Sequence, residues 1–303
     1  MIKKESSITI ICPLYNAEDM FLDLNNALNH QEGVTVKEIK YILTESSDRT
    51  EDLLRMNRIS YEKITKKQFS HSLTREKAAM SAKGDVIVFL TQDVVIKSRR
   101  FLERLVKPIV DGEVEAAYAR QLTKYNNIEK YTREHNYPKK SFVVSRDDVE
   151  ELGLRTFFFS DAAGAIDKKT FVRLGGYDGK KLPFSEDMYF AYKLIMNGGR
   201  IKYVADAVVY HSHDFTFKEL YNRYKLSGEF MKMNPEIAKY SQAKAGGNMA
   251  KHILKRAFKD GNWGVIVRYI PDMAVRFIGM KAGKRPITED SVLVKVDSFE
   301  GEK

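Results

Sequence analysis

The sequence predicts an α/β fold in which a mostly parallel central sheet is flanked by helices and followed by a C-terminal helical extension. Continuous apolar stretches alternate with segments of helical apolar spacing, which is typical of βα units and a sheet covered on both faces. The 303 residues are 43% hydrophobic, enough for one large core or two modest ones. The net charge of +10 is matched by the surplus of 15 Lys/Arg over 5 Asp/Glu between Phe215 and Arg285.

The first half contains the clearest strand and helix patterns. Three buried strands are predicted, at SITIICPLY, IKYILTE and VIVFL. Three helices are predicted around them, at residues 20–28, EDLLRMNRI and LTREKAAMSAKGD. Pro13 ends the first strand, and Gly84 closes the third helix. This alternation predicts a parallel sheet.

The second half supplies one further helix and strand, each with polar residues at one end. The helix begins at Glu186-Asp187 and has an apolar face formed by Tyr189, Phe190 and Leu194. The stretch RIKYVADAVVY predicts a strand, and it is followed directly by His211-Ser212-His213. Two histidines at alternate positions point the same way, and imidazole is a common metal ligand.

Polar residues follow several predicted strands at the point where each strand ends. They are Tyr15-Asn16, residues 45–48, and Thr91-Gln92-Asp93. Because ligands bind at the carboxyl ends of parallel strands, Asp93 is more readily explained as a ligand-site residue than as a surface charge. The alternative for Glu186 and Asp187 is purely structural, since acids in a first helical turn favour the helix dipole.

Missing motifs leave four protein classes without support from the sequence. No G-x-G-x-x-G follows the first strand and no P-loop motif is found, which argues against binding of a dinucleotide cofactor and against a P-loop protein. The H-E-x-x-H and G-x-S-x-G motifs of zinc proteases and serine hydrolases are also absent. The single cysteine, Cys12, excludes a disulfide framework and a cysteine-based zinc site. No signal-peptide pattern and no run of about 18 apolar residues is found, so the sequence predicts a cytoplasmic protein without a transmembrane helix.

The ordered motifs resemble those of a known enzyme family. They are PLYN, ESSDRT, TREKAA with KGDVIVFLTQD, SDAAGAI with LGGYD, FSEDMYFAYKL, and YHSH. In this order and spacing they resemble family 2 glycosyltransferases of the GT-A fold, and within that family the bacterial rhamnosyltransferases of surface-polysaccharide synthesis. The resemblance spans Ile8 to His213.

The resemblance implies transfer of a sugar from a nucleoside diphosphate sugar to an acceptor hydroxyl, with inversion at the anomeric carbon. Asp187 matches the family's catalytic base, and Glu186 is either an alternative base or orients the acceptor. Asp93 matches the last acid of a D-x-D motif that holds Mg²⁺ or Mn²⁺ against the diphosphate. Here the motif is reduced to Thr91-Gln92-Asp93. We expect His213, and with less support His211, to add a nitrogen ligand, more readily to Mn²⁺ than to Mg²⁺.

The resemblance also assigns residues to the two substrates. Pro13 and Tyr15 match positions that line the nucleotide base, and Glu45 matches an acid that accepts from a ring N–H of the base. Arg75 matches a basic residue near the base or the phosphates, the alternative being a helix-surface arginine. The remaining assignments are Gln92 with Asp93 at the donor, and Ser160 and Asp161 beside the donor sugar and acceptor.

We therefore predict a GT-A catalytic domain over residues 1–214 and a basic amphipathic helical extension over residues 215–303. The extension would contact a membrane, the acceptor or a second copy of the chain, or else pack on the catalytic domain. The donor best supported is dTDP-rhamnose, with UDP-sugars as an alternative. The family implies a saccharide acceptor on undecaprenyl diphosphate, hence a location at the inner face of the plasma membrane.

Two other classes of function remain as alternatives. A nucleic-acid-binding protein would explain the basic C-terminal third but not the placement of the acids and histidines. A catalytically inactive GT-A-like scaffold would explain the missing acid of the D-x-D motif but not the retention of Asp93 and Asp187.

Overall fold

An eight-stranded mixed sheet forms the centre of the molecule, for which a computed structural model describes residues 6–241 and 243–285, without the side chains of 243–246. The strands are β1 Ser7–Leu14, β2 Thr35–Thr44, β3 Tyr61–Ile64, β4 Val86–Leu90, β5 Ala116–Leu122, β6 Phe142–Val144, β7 Ala163–Asp167 and β8 Ile201–Tyr210. Their order across the sheet is β3-β2-β1-β4-β7-β5-β8-β6. Strands β1 to β4 are mutually parallel, as are β5 and β8, whereas β7 and β6 run antiparallel to their neighbours.

Helices cover both faces of this sheet. As far as the last strand they are α1 Phe21–Asn29, α2 Thr50–Met56, α3 His71–Met80, α4 Phe101–Val110, α5 Ile128–Asn136, α6 Val149–Leu152, α7 Lys168–Arg173 and α8 Glu186–Met196. One apolar cluster packs α1 and α4 against one face through Phe21, Leu105 and neighbouring residues. A second packs α3, α7 and α8 against the other face, with Phe171 and Phe190 fully buried. The predicted α/β class with a mostly parallel sheet is confirmed.

Within the described residues, four helices follow the sheet, in the range of the predicted extension. They are α9 Phe217–Met233, α10 Pro235–Ala238, α11 Ala243–Lys259 and α12 Trp263–Lys284. A small apolar cluster joins α11 and α12 to α5 through Ile253, Ala257, Val265 and Tyr131, so these helices pack on α5. None of the helices in the described ranges is both long and apolar enough to cross a membrane. Residues 286–303, the end of the predicted extension, lie outside the described residues.

Glycines allow α9 and α12 to pack backbone to backbone. A Cβ atom at Gly279 would lie 2.6 Å from the carbonyl oxygen of Tyr221, and one at Gly283 would collide with the carbonyl oxygen of Lys225. Gly228 of α9 in turn faces the carbonyl oxygen of Met280. The G-x-x-x-G spacing in α12 therefore fixes how the last helix lies on α9.

We expect Gly283→Ala to destabilise the protein by about 1–3 kcal/mol, because the added methyl group has no room. Alanine normally stabilises a helix relative to glycine, so the sign of the change is informative. Gly264→Ala in the same helix is the matched control, since the atom nearest to its Cβ would be 3.8 Å away. Thermal unfolding and the protease sensitivity of the C-terminal helices measure both variants. Equal stability of the two variants would show that α12 does not pack in this way.

Candidate active site

A short bridge between two loops sets the position of Asp93. The backbone N–H of Val95 donates to the carbonyl of Tyr210 at 2.8 Å, and the N–H of Tyr210 donates back to Val95 at 3.0 Å. Because Tyr210 ends β8, this bridge brings the segment after β4 beside the His-Ser-His segment. Asp93 therefore faces the histidines although β4 and β8 are not neighbours in the sheet.

Asp93, His211 and His213 form a group with metal-ligand geometry. Asp93 Oδ2 lies 3.2 Å from His211 Nε2 and 3.6 Å from His213 Nε2. One ligand atom from each of the three lies within 4.8 Å of the others. The predicted pairing of Asp93 with His213 is thus seen in space, and His211, which the sequence ranked lower, is the nearer of the two histidines.

The hydrogen bonds of Gln121 determine which nitrogen of His211 faces Asp93. Gln121 donates through Nε2 to Ser160 Oγ at 2.8 Å, and its Oε1 accepts from Arg133 and lies 2.9 Å from His211 Nδ1. With Oε1 as an acceptor, Nδ1 of His211 carries the hydrogen. The Nε2 lone pair of neutral His211 then faces the Asp93 carboxylate, and two acceptors so close require a proton or a metal ion between them.

The electrostatics of this group suit a divalent cation. Burial acts to raise the pKa of Asp93, but when His211 carries the proton between them, its hydrogen bond and charge outweigh burial and hold that pKa below the usual range. Burial, with the nearby charge of His211, lowers the pKa of His213 to about 4. At neutral pH Asp93 is therefore a carboxylate and His213 a neutral imidazole. A carboxylate oxygen together with the nitrogens of the two histidines suits Mn²⁺ better than Mg²⁺.

Gln121 does not face Asp93 but orients His211 through its Oε1, and no local pattern in the sequence points to this residue. Replacing Gln121 with Leu removes the acceptor that orients His211, and we expect Mn²⁺ affinity to fall by about 10- to 100-fold. Gln121→Glu keeps an acceptor at the same place and should retain binding. An electron paramagnetic resonance titration of free Mn²⁺ measures both. Wild-type affinity in Gln121→Leu, in a protein with a native circular dichroism spectrum, would remove this role.

A second group of charges is buried at the start of α8. Arg75 Nη1 donates to Glu186 Oε1 at 3.1 Å, and Arg75 Nε lies 4.0 Å from Asp161 Oδ2. Asp161 also accepts from the hydroxyl of Tyr177 at 2.7 Å. Arg75 is only 4% exposed, so the alternative of a helix-surface arginine is wrong. It lies with the acids, where its charge offsets theirs.

Asp187, next to Glu186 at the start of α8, is a carboxylate with a raised pKa. Its Oδ1 accepts from the N–H of Met188 at 2.7 Å, and the preceding Ser185 has a left-handed backbone, with φ 57°. Burial raises the pKa of Asp187 well above its ordinary value, and the charges of Glu186 and Asp161 raise it further. Burial likewise raises the pKa of Asp161. A half-buried carboxylate with a raised pKa is suited to accept a proton near neutral pH.

Tyr15 and Glu45, which follow the ends of β1 and β2, both contact Lys66. The N–H of Lys66 donates to Glu45 Oε2 at 3.3 Å, and Lys66 Nζ lies 5.2 Å from the centre of the Tyr15 ring. Gln92 holds the Tyr15 backbone from both sides: it accepts from its N–H at 2.7 Å and donates to its carbonyl at 2.8 Å. Pro13 lies in β1 beside Ile42. The predicted base-binding residues therefore lie close together. Lys66 lies with them, although no pattern in the sequence predicts it.

The two charged groups lie at one edge of the sheet. Gln121 links them, because its Oε1 lies 2.9 Å from His211 Nδ1 and its Nε2 donates to Ser160 Oγ, and the next residue, Asp161, lies 4.0 Å from Arg75. Arg223 of α9 lies on the rings of Phe184 and Phe215, which adjoin the two groups in sequence. Tyr15, Glu45, Gln92, Asp93, His211 and His213 lie on the segments that follow strands, whereas Ser160 and Asp161 precede β7, Arg75 lies on α3, and Glu186 and Asp187 begin α8.

The chain is similar in sequence to known glycosyltransferases. The family model Glycosyl transferase family 2 matches residues 9–175. The chain is 32% identical to the O-antigen chain rhamnosyltransferase RfbN of Salmonella typhimurium, over 91% of this chain and 89% of that protein. It is 30% identical to the O-antigen chain rhamnosyltransferase WbaN of Salmonella anatum, over 92% and 89% of the two chains.

Solved structures share the fold at low sequence identity. The mannosyltransferase PcManGT from Pyrobaculum calidifontis, in complex with GDP-Man and Mn²⁺, matches with a TM-score of 0.60 and 14% identity, over 92% of this chain and 86% of that one. TarS 1–349 of S. aureus, in complex with UDP-GlcNAc, matches with a TM-score of 0.55 and 14% identity, over 75% and 72% of the two chains. At this level of identity, these structural similarities support the fold alone.

Proposed function

The chain belongs to glycosyltransferase family 2, and from that premise we propose that it transfers L-rhamnose from dTDP-rhamnose, with inversion, to a saccharide hydroxyl on a lipid-linked polysaccharide precursor. The observation that carries this is the meeting of two groups at one sheet edge: Asp93 with two histidines, and Asp187 among buried acids. The named rhamnosyltransferase relatives support the choice of sugar.

We propose that Asp93, His211 and His213 hold a divalent metal ion, Mn²⁺ in preference to Mg²⁺. When bound, such an ion neutralises negative charge on the donor diphosphate. The chain's own residues provide the carboxylate, the two imidazoles and the Gln121 acceptor that orients His211. A single carboxylate suffices because histidine nitrogens take the place of a second acid.

The donor nucleotide is assigned to the group formed by Tyr15, Glu45 and Lys66, with Pro13 beside it. The Tyr15 ring offers a face for stacking on the base, and Glu45 offers an acceptor for a ring N–H. Gln92 is a positioning residue in this proposal, since both of its amide atoms are used to fix the Tyr15 backbone.

Asp187 removes the proton from the acceptor hydroxyl in this mechanism. The acceptor oxygen bonds to the anomeric carbon, the bond from that carbon to the diphosphate oxygen breaks, and the nucleoside diphosphate leaves with the electron pair. Glu186 and Arg75 fix the start of α8 and the charge around Asp187. Ser160 and Asp161, which lie near the two groups, would face the sugar and the acceptor.

We further propose that residues 1–214 form the catalytic domain and residues 215–303 a membrane-contacting extension at the inner face of the plasma membrane. Along α12, a stripe of apolar side chains is exposed. Their exposed fractions are Trp263 60%, Val267 76%, Ile270 75% and Phe277 62%. They recur at intervals of three, four or seven residues and so share one face. Trp and Phe beside aliphatic residues suit a lipid interface.

The charges near this stripe favour an anionic lipid surface over a second copy of the chain. Five exposed lysines on α11 and α12 form no ion pair with any residue that the structure describes; they are Lys251, Lys255, Lys259, Lys281 and Lys284. A symmetric dimer through this face would place lysines near lysines, whereas each would gain about 1 kcal/mol near an anionic leaflet.

We expect the double variant Trp263→Ser/Phe277→Ser to lose most of its sedimentation with vesicles of phosphatidylcholine containing phosphatidylglycerol. Pure phosphatidylcholine and high salt should weaken wild-type binding, because the lysines contribute through screened charge. Val172→Ser, which removes another exposed apolar side chain, is the control. If the wild type does not bind vesicles but forms a dimer in solution, and the double variant is a monomer, the exposed face serves self-association instead.

The donor is tested by nucleotide release from a panel of dTDP-rhamnose, dTDP-glucose, UDP-glucose, UDP-GlcNAc and GDP-mannose, with Mn²⁺, Mg²⁺ or a chelator. We expect the fastest release from dTDP-rhamnose with Mn²⁺, and loss of release with the chelator. Faster release from a UDP- or GDP-sugar would overturn the choice of donor. Release unaffected by the chelator would remove the metal from the mechanism.

A further inference from the structure

Arg223, in the second turn of α9, lies between the two groups of the candidate site. Its guanidinium carbon is 4.7 Å from the centre of the Phe184 ring and 5.3 Å from that of Phe215. Phe184 immediately precedes Ser185 and the acids of α8, and the ring of Phe215 stacks on that of His213 at 4.9 Å. One cation from the extension thus joins the segment of the acids to the segment of the histidines.

The other arginines near the site are paired with carboxylates. Arg75 bonds to Glu186, Arg133 lies 3.5 Å from Glu129, and Arg276 lies within 3.9 Å of Glu129 and Asp272. The guanidinium of Arg223 forms no ion pair and no hydrogen bond with any residue in the described part of the chain, and its side chain is exposed. Its guanidinium N–H groups are therefore available to a ligand.

We propose that Arg223 binds the diphosphate of the donor and stabilises the nucleoside diphosphate as it leaves. A guanidinium held on aromatic faces keeps its planar fork free for two phosphoryl oxygens. As the bond between the anomeric carbon and the β-phosphate oxygen breaks, negative charge grows on that oxygen, and a fixed cation there lowers the barrier. Its contacts with Phe184, beside the acids of α8, and with Phe215, which stacks on His213, place it between the proton acceptor and the histidines.

A role limited to holding the two loops together makes a different prediction. Stacking between Phe184 and Phe215 needs a flat or flexible side chain but no charge, so Arg223→Met would preserve much of the contact. Binding of a diphosphate needs the charge, so Arg223→Lys would retain part of the function and Arg223→Met none. Lys218→Met, at an exposed position of the same helix, makes the same change in charge and is the matched control.

The test is calorimetric titration of wild type, Arg223→Met, Arg223→Lys and Lys218→Met with dTDP and with dTMP, and it rests on the proposed donor. We expect dTDP affinity to fall by about 10- to 100-fold in Arg223→Met. It should fall less in Arg223→Lys and stay unchanged in Lys218→Met. The affinity for dTMP, which lacks the β-phosphate, should be the same in all four. Turnover with the donor should fall in the same order as dTDP affinity.

The outcomes separate this inference from the proposed function. If wild type binds dTDP and Arg223→Met binds it equally well, Arg223 has no diphosphate role and the proposed transferase stands. If dTDP and dTMP weaken together in Arg223→Met, the residue supports the loops only. If wild type binds UDP or GDP but not dTDP, the choice of donor is wrong, and the same comparison with that diphosphate and its monophosphate decides on Arg223. If no nucleotide binds to wild type, both proposals are overturned.

Discussion

Replacing Asp187 with Asn should reduce the rate of sugar transfer by about 10²- to 10⁴-fold while leaving donor binding intact. The amide has nearly the same shape as the carboxylate but cannot accept the proton of the acceptor hydroxyl. Because burial and two neighbouring acids raise the pKa of Asp187, the change also removes an unfavourable charge, so we expect the variant to fold. Steady-state transfer and calorimetric donor binding measure the two effects separately.

Asp52→Asn is a suitable control, since Asp52 is also an acid in a first helical turn but is exposed on α2. The pH profile of kcat/KM gives a second check. A base with a raised pKa becomes active only as the pH rises through that pKa, so the acidic limb should lie above the ordinary carboxylate range. Removing the charge of Glu186, in Glu186→Gln, should lower the pKa of Asp187 and move the limb to lower pH. Near wild-type turnover in Asp187→Asn would assign the base to another residue.

Replacing Asp93 with Ala should lower transfer by about 10²- to 10³-fold and weaken Mn²⁺ binding by a similar or larger factor. Asp93 is the single carboxylate among the three grouped residues, and without it His211 and His213 are left to hold a divalent cation. The donor diphosphate would then carry its growing charge with less compensation. Transfer assays and an electron paramagnetic resonance titration measure the losses.

Asp206→Ala, at an exposed position on β8, removes an acid without touching the site. It should bind Mn²⁺ and transfer sugar like wild type. Removal of metal by a chelator should bring wild type down to the level of Asp93→Ala but leave Asp93→Ala itself almost unchanged. A large further loss in Asp93→Ala on chelation would show that the metal binds elsewhere.

The strands that contain a clear apolar run could be predicted from the sequence, and the others could not. Strands β1 and β4 are apolar over most of their length, β2 and β8 contain apolar runs interrupted by charged residues, and the predictions at these four positions are confirmed. Strand β7, Ala163–Asp167, was missed because its small residues carry no strand preference; its place is set by pairing with β4 and β5. The edge strand β6 has only three residues, too few for a periodic pattern.

Individual candidate residues could be found from the sequence, but their partners could not. Asp93 and Asp187 stand out because an acid follows an apolar strand or begins an amphipathic helix. Gln121, Lys66 and Arg223 have no such local signal, since each is defined by contacts with residues far away in the chain. The importance of His211 depends on the bridge between Val95 and Tyr210, which only the folded chain shows.

The reduced Thr91-Gln92-Asp93 motif is also explained by the fold. Gln92 uses its amide to fix the backbone of Tyr15, a task that needs both a donor and an acceptor and that a carboxylate could not perform. In the proposed metal site, the two imidazoles after β8 would take the place of the ligand that the motif lacks. The departure from D-x-D is therefore compatible with a metal-assisted transferase and does not require an inactive scaffold.

The measurement that tests the central claim most directly is the transfer of labelled rhamnose from dTDP-rhamnose to an undecaprenyl-diphosphate-linked saccharide by the wild-type protein with Mn²⁺. We expect a labelled lipid-linked product whose new glycosidic bond has the anomeric configuration opposite to that of the donor. Retention of configuration would contradict the single displacement assisted by Asp187. No transfer of rhamnose or any other sugar from the donor panel, with either Mn²⁺ or Mg²⁺, would contradict the assignment of this sheet edge as a transferase active site.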